Sequence, residues 1–141
     1  MSLNTLPGED DIVAKLREIP GVDVIEGEYT PDSYTPVTDT NKMFRPYLTV
    51  KFNGAFPHYD GGILGPDKDV QRASFSVFIT SPDDRVSRDI RNQVREKMLT
   101  NFRPTDGSSL RPAGAYSFAD TDLGYNRYTH NIGFSYLFNL S

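Results

Sequence analysis

The chain has 141 residues with 15 Lys plus Arg against 19 Asp plus Glu, a formal charge of −4. It holds no cysteine and two histidines, which removes disulfide scaffolds, thiolate metal sites and cysteine nucleophiles and leaves no material for a multi-histidine metal centre. The length suits one domain over 1–141. The acidic balance argues against a general nucleic-acid binder, whose affinity comes from cations on phosphates.

The opening MSLNTLPGEDD lacks the basic start and apolar core of a secretory signal, and no apolar run reaches the roughly 18 residues needed to span a bilayer, so no membrane partner is expected. Residues 1–8 read as a tail. Residues 9–19 place Ile12, Val13, Leu16 and Ile19 on one helical face, behind three acidic residues at the positive end of the helix dipole and before Pro20-Gly21. A short strand, Val22–Ile25, follows.

Residues 27–45 show neither a period of 2 nor one of 3.6 and carry Tyr29, Tyr34, Val37, Met43 and Phe44 as their large apolar groups. An irregular stretch of that length inside a compact domain points to a segment that gains order from a partner. Residues 46–52 then alternate, with Leu48, Val50 and Phe52 on one face and Tyr47, Thr49 and Lys51 on the other. A second strand covers about 70–80, with Ala73, Phe75, Val77 and Ile79 sharing a face. The extended 53–69 loop between them turns at Asp60-Gly61-Gly62 and gives a long hairpin whose tip carries Phe56, His58, Tyr59, Ile63 and Leu64. Apolar groups on such a tip make sense where it docks on something.

Ser81-Pro82-Asp83-Asp84 announces a second helix, with Ser81 as cap, Pro82 in the first turn, and Val86, Ile90, Val94 and Met98 as the apolar stripe. Its other face carries Arg85, Arg88, Arg91 and Arg95 interleaved with acids, the pattern of a solvated, salt-bridged surface. After a turn-rich 102–114 come a strand at 115–119, a turn at Asp120-Thr121-Asp122-Leu123-Gly124, and a final strand at 126–139. In that last strand Tyr128, His130, Ile132, Phe134, Tyr136 and Phe138 alternate with smaller or polar residues. Thirteen residues at about 3.4 Å span roughly 44 Å, more than a domain of radius of gyration about 14 Å accommodates. The strand is therefore expected to bend at Gly133 or to overhang as an aromatic edge. The fold class is α+β: an antiparallel-rich sheet packed against two helices in the order α-β-(long loop)-β-β-α-β-β.

Chemistry is sparse. His58 and Asp60 resemble a fragment of a metal site but read as solvated hairpin surface; Asp120 and Asp122 sit where turns favour aspartate; His130, among aromatics, reads as a packed core or interface histidine. Phosphate-cradling glycine motifs are absent. The expectation is a protein without catalytic residues, cofactor or metal.

Three stretches in order carry a family resemblance: Arg45-Pro46-Tyr47-Leu48-Thr49-Val50; Ala73–Thr80 running into Ser81-Pro82-Asp83-Asp84, the amphipathic helix and Phe102-Arg103-Pro104; and the closing Arg127–Asn139. Together they resemble the tail terminator (tail-completion) proteins of long-tailed bacteriophages. The resemblance implies a structural virion protein, assembled in the host cytoplasm, that forms a homohexameric ring on the head-proximal end of the tail tube. The ring stops tube polymerisation and joins the tail to the head connector. It implies the tail tube protein, a connector or stopper protein and sibling copies as partners, with DNA passing through the lumen unbound. On that reading Tyr29, Tyr34, Phe44, Phe56, His58, Tyr59, Ile63, Leu64 and Arg127 are interface candidates. Asp60, Asp67 and Asp69 are candidates for a lumen lining that repels phosphates; their replacement by lysine should slow DNA ejection. The 27–45 and 53–69 loops are expected to exchange amide hydrogens fast in the isolated protein and slowly in the assembled tail. The alternatives are another head–tail connector component, which would give normal tails unjoined to heads when missing, or a small ligand-binding domain or enzyme with the aromatic strand as a pocket wall.

Overall fold

A computed structural model describes residues 7–26, 45–58, 67–122 and 125–139; within those ranges, the side chains of 26, 56–58, 67–69, 115–122 and 125–126 are not described. The elements run α1 (Glu9–Leu16), β1 (Asp23–Glu26), β2 (Tyr47–His58), β3 (Asp67–Ser81), α2 (Asp84–Leu99), β4 (Arg111–Asp122) and β5 (Tyr125–Asn139). This is the expected α+β class and element order.

The five strands form one sheet in the order β1-β2-β3-β5-β4. Only β1 and β2 are parallel; every other neighbouring pair is antiparallel. Alternate residues of the strands, among them Leu48, Val50, Phe75, Val77, Ile79, Ile132, Phe134 and Tyr136, join Ile12 and Leu16 of α1 and Ile90, Val94 and Met98 of α2 in one buried apolar cluster. Phe75 lies at its centre, its ring 5.4 Å from Phe134 and 5.6 Å from Phe52.

Several local expectations change. The first helix stops at Leu16, and Ile19 reaches the core from the turn that follows, where its N–H bonds Leu16 O at 3.1 Å. The described parts of the 53–69 segment are strand, since β2 continues to His58 and β3 begins at Asp67; residues 59–66 lie outside the described residues. Glycine and proline there mark irregularities within the ladder, between Phe52 and Ala55 and between Pro57 and His58, and do not end it. Likewise β4 runs from Arg111 through Asp122, so Asp120 belongs to a strand opposite Arg127.

The long last strand does not overhang. It is flanked by β3 on one side and β4 on the other, and its register with β3 is unbroken from Val70 opposite Asn139 to Ser81 opposite Tyr128. Gly133 sits in that continuous register, and the irregularity is on the partner strand, between Pro112 and Gly114. Length is accommodated by pairing, because β3 is equally long. The first residues of β2 also differ from a half-buried strand: Tyr47 and Thr49 are buried as deeply as Leu48 and Val50.

At the start of α2, Asp83 is the N-cap and Ser81 is not. Asp83 has extended backbone angles, and its Oδ1 accepts from Arg85 N at 2.8 Å. The buried first-turn residue is Ser87, while Val86 is 37% exposed. The exchange has a physical reason: this turn lies over the main chain of β5, where the Ser87 hydroxyl donates to Tyr128 O at 2.7 Å. A valine there would leave that carbonyl without its partner.

Candidate functional site

The densest polar constellation joins the N-terminal half of α2 to β5. Asp84 and Arg91 are seven residues apart, two helical turns, and so share one face of α2. Between them sits the His130 ring, its side chain 5% exposed. Its Nε2 lies 2.8 Å from Asp84 Oδ1, and its Nδ1 lies 3.2 Å from Arg91 Nη1. Asp84 also pairs with Arg88 through its other oxygen at 3.3 Å. The His130 hydrogen bond holds the Asp84 carboxyl below the usual carboxylate range, with the charges of Arg88 and Arg91 acting in the same direction.

Two further contacts surround this clamp. Ser81 Oγ and Ser87 Oγ are 2.6 Å apart, which links the end of β3 through Ser87 to Tyr128 O. Thr80 and Thr129 share a buried hydroxyl–hydroxyl bond of 2.9 Å across β3 and β5. A carboxylate–imidazole pair is the orienting half of many acid–base sites. Here the second ring nitrogen is engaged by a guanidinium, and among the described residues no hydroxyl bonds to the ring. The arrangement therefore works as a mount. It fixes α2 against β5 close to the end of the sheet where β4 turns into β5.

A second clasp holds the other end of β5. Tyr136 donates its hydroxyl proton to Pro7 O at 2.7 Å, and burial, helped by Glu9, pushes the phenol up to about 12. Ser108 N bonds Leu137 O at 2.8 Å while Leu137 N bonds Ser108 Oγ at 2.9 Å. Arg103 Nε donates to Gly107 O at 2.7 Å, and Thr105 N donates to Asp11 Oδ2 at 2.7 Å. The Thr105 bonds hold the Asp11 carboxyl below its ordinary value.

The interface candidates and the lumen candidates Asp60, Asp67 and Asp69 named from sequence fall into two groups. Tyr29, Tyr34, Phe44, Tyr59, Asp60, Ile63 and Leu64 lie outside the described residues. The main chain of Phe56 and His58 ends β2, opposite Arg72 and Asp67, and Asp67 and Asp69 begin β3. Arg127 lies in β5 opposite Asp120, at the other end of the sheet. The β3–β5 register sets this separation: the start of β3 meets the end of β5, so the β2–β3 and β4–β5 hairpins point in opposite directions. The sequence reading missed the partners of His130, because Asp84 and Arg91 are 46 and 39 residues away. The available signal was the seven-residue spacing of an acid and a base on one helix face.

Among the described residues no three His, Cys, Asp or Glu gather closely enough to hold a metal ion, and no helix is long and apolar enough to cross a membrane. Of the open grooves, the one bordered by Pro7, Arg103, Asp106 and Ser108 is lined mainly by polar groups, and the one bordered by Arg91, Arg95, Pro112 and Ile132 mainly by apolar surface. No protein-family model matches the chain, and no curated protein is similar enough to count as a match.

Proposed function

We propose that the chain is a ring-forming structural protein of a long-tailed bacteriophage virion, the tail terminator that caps the tail tube and joins it to the head connector. The observation that carries this reading is the opposed direction of the two hairpins on one continuous sheet. A terminator needs one contact towards the tube, another towards the connector, and two lateral contacts with siblings. The sheet provides two hairpin ends and two lateral edges, and the clamps at Asp84–His130–Arg91 and at Pro7–Tyr136 fix both ends of β5 relative to the helices. The described polar clusters around His130 and Tyr136 make internal bonds that hold the helices on the sheet, which supports reading the chain as a positioned structural part. The resemblance of 45–50, 73–104 and 127–139 to tail terminators supplies the specific role.

The test is electron microscopy of particles made without this chain. Overlong tails are expected. Tails of normal length that fail to join heads would assign the chain to the connector side instead.

A further inference from the structure

The sheet has a second face, turned away from the helices. Residues that alternate with the core residues Ala73, Phe75, Phe134 and Tyr136 lie on it: Arg72, Ser74 and Ser76 of β3, and Gly133, Ser135 and Leu137 of β5. Arg111 of β4 stands directly opposite Ser135, and Lys51 of β2 stands directly opposite Ser76. In a chain of net charge −4, these rows carry Lys51, Arg72 and Arg111 among small hydroxyl residues, and none of their described side chains is acidic.

One hydroxyl on this face has no partner. Ser135 is 7% exposed, and among the described residues nothing bonds to its Oγ. It lines a recess of about 10 Å³ together with Arg72, Arg111, Leu137 and Ser108, room for one water-sized sphere. The Ser108 hydroxyl is already used in both directions: it accepts from Leu137 N at 2.9 Å and donates to Ser109 O at 3.1 Å. A buried hydroxyl left unbonded is costly, so such a place is filled by a water or an ion.

The walls decide between the two. A guanidinium donates and never accepts, and the Ser135 proton also needs an acceptor. Arg111 is the direct cross-strand neighbour of Ser135, and Arg72, opposite Leu137, is its diagonal neighbour. Cβ separations of about 5 Å and 7–8 Å put Ser135 within reach of both long side chains. Arg72 has a further interaction elsewhere, but a guanidinium carries five N–H donors and serves more than one partner. A water in the recess would bring two protons of its own into a ring of donors. An anion accepts from all three side chains, and the two cations strengthen each bond.

We propose that this recess is an anion site, in which a small anion, or one oxygen of an oxyanion, sits on the Ser135 hydroxyl between the Arg72 and Arg111 guanidiniums. The volume sets the class. A monatomic anion such as chloride enters whole, and inorganic phosphate enters by a single oxygen. The site lies on the face opposite the helices and stands apart from the terminator reading.

An NMR titration of the full chain with sodium chloride and, separately, sodium phosphate tests it. The signals to follow are the Ser135 main-chain N–H and the Nε–H groups of Arg72 and Arg111, with Arg95 of α2 as the control for general screening. Shifts should saturate at the first three and not at Arg95. Ser135→Ala and Arg111→Gln should each weaken the apparent affinity at least about fivefold, as loss of one charge-assisted bond does. A response to chloride alone limits the site to monatomic anions, and a response to phosphate admits an oxyanion oxygen; either supports the proposal. Stability gives a second readout. Without added anion, Ser135→Ala should leave the urea midpoint unchanged or raise it, because it removes an unbonded hydroxyl. Added chloride should then raise the midpoint further in the unaltered chain than in the variant. A recess that holds only water gives no saturating shift with either anion, and that result would overturn the proposal. So would a response that Ser135→Ala leaves intact, or a midpoint that Ser135→Ala lowers in the absence of anion, which would mean the hydroxyl already has a protein partner.

Discussion

Arg91 Nη1 lies 3.2 Å from His130 Nδ1, and a guanidinium has donors only, so that ring nitrogen must be the acceptor. The proton therefore sits on Nε2, where it is donated to Asp84 Oδ1 at 2.8 Å. Nitrogen-15 NMR should show His130 in the tautomer with a bare Nδ1 and a protonated Nε2. Removing the ring breaks both bonds and opens a space beside Ile132. His130→Ala should lower stability by roughly 2–3 kcal/mol, the scale for lost buried hydrogen bonds plus packing. A change below 0.5 kcal/mol in urea unfolding would mean the clamp holds nothing.

The same pair makes stability depend on acid pH. The Asp84 carboxyl is lowered first by its bond to His130, and Asp11 by its bonds to Thr105. A carboxyl whose folded value is depressed binds its proton more readily in the unfolded chain, so its contribution is full above the ordinary carboxylate value of about 4 and is lost as pH falls through the folded value. Urea midpoints should drop on going from pH 5 towards pH 2. Asp84→Asn and Asp11→Asn should each flatten that slope, and an unchanged slope in both would contradict the assignment.

At the alkaline limit the sign is reversed. Tyr136 is raised to about 12 by burial and by Glu9. A phenol whose folded value is raised keeps its full contribution below about 10 and loses it as pH climbs from there through 12. Ionisation also removes the proton that Tyr136 donates to Pro7 O. Midpoints measured from pH 9 to 12 should fall in the unaltered protein and fall less in Tyr136→Phe, which starts about 1 kcal/mol lower through the lost hydrogen bond.

Local periodicity carried most of the fold. The alternation in 46–52, 70–80 and 126–139 placed three strands, and the four-residue steps of Ile90, Val94 and Met98 placed α2. Periodicity failed where tertiary partners choose the residue. Val86 fits the apolar stripe better than Ser87, yet a hydroxyl is needed above Tyr128 O, so serine is the one buried. Proline and glycine in 53–69 look like loop signals, but β3 is long enough to template β2 through two irregularities. Strand order was not legible at all. It is set by long-range pairing, and it moved the aromatic last strand from a presumed edge to a position between β3 and β4. The candidate site was legible only as single residues, because its bonds join positions about forty residues apart.

Two glycines with similar φ separate conformational strain from steric fit. Gly8 precedes α1 at φ +92°, and a Cβ there would lie 2.5 Å from the Pro104 Cβ, closer than real Cβ atoms come. Gly21, after that helix, has φ +75° and nothing within 4 Å of an added Cβ. The left-handed backbone alone costs a non-glycine residue roughly 1–2 kcal/mol. Gly21→Ala should therefore lose about that much and no more. Gly8→Ala must in addition push the 103–107 turn away from α1, straining the nearby Thr105–Asp11 and Tyr136–Pro7 bonds, and should lose roughly 3–4 kcal/mol by the scale for overpacking added to backbone strain. Equal losses at the two positions in urea unfolding would show that the turn yields freely and that the clasp on this end of β5 is loose. A larger loss at Gly8 would establish that the N-terminal helix and the end of the sheet are held as one unit.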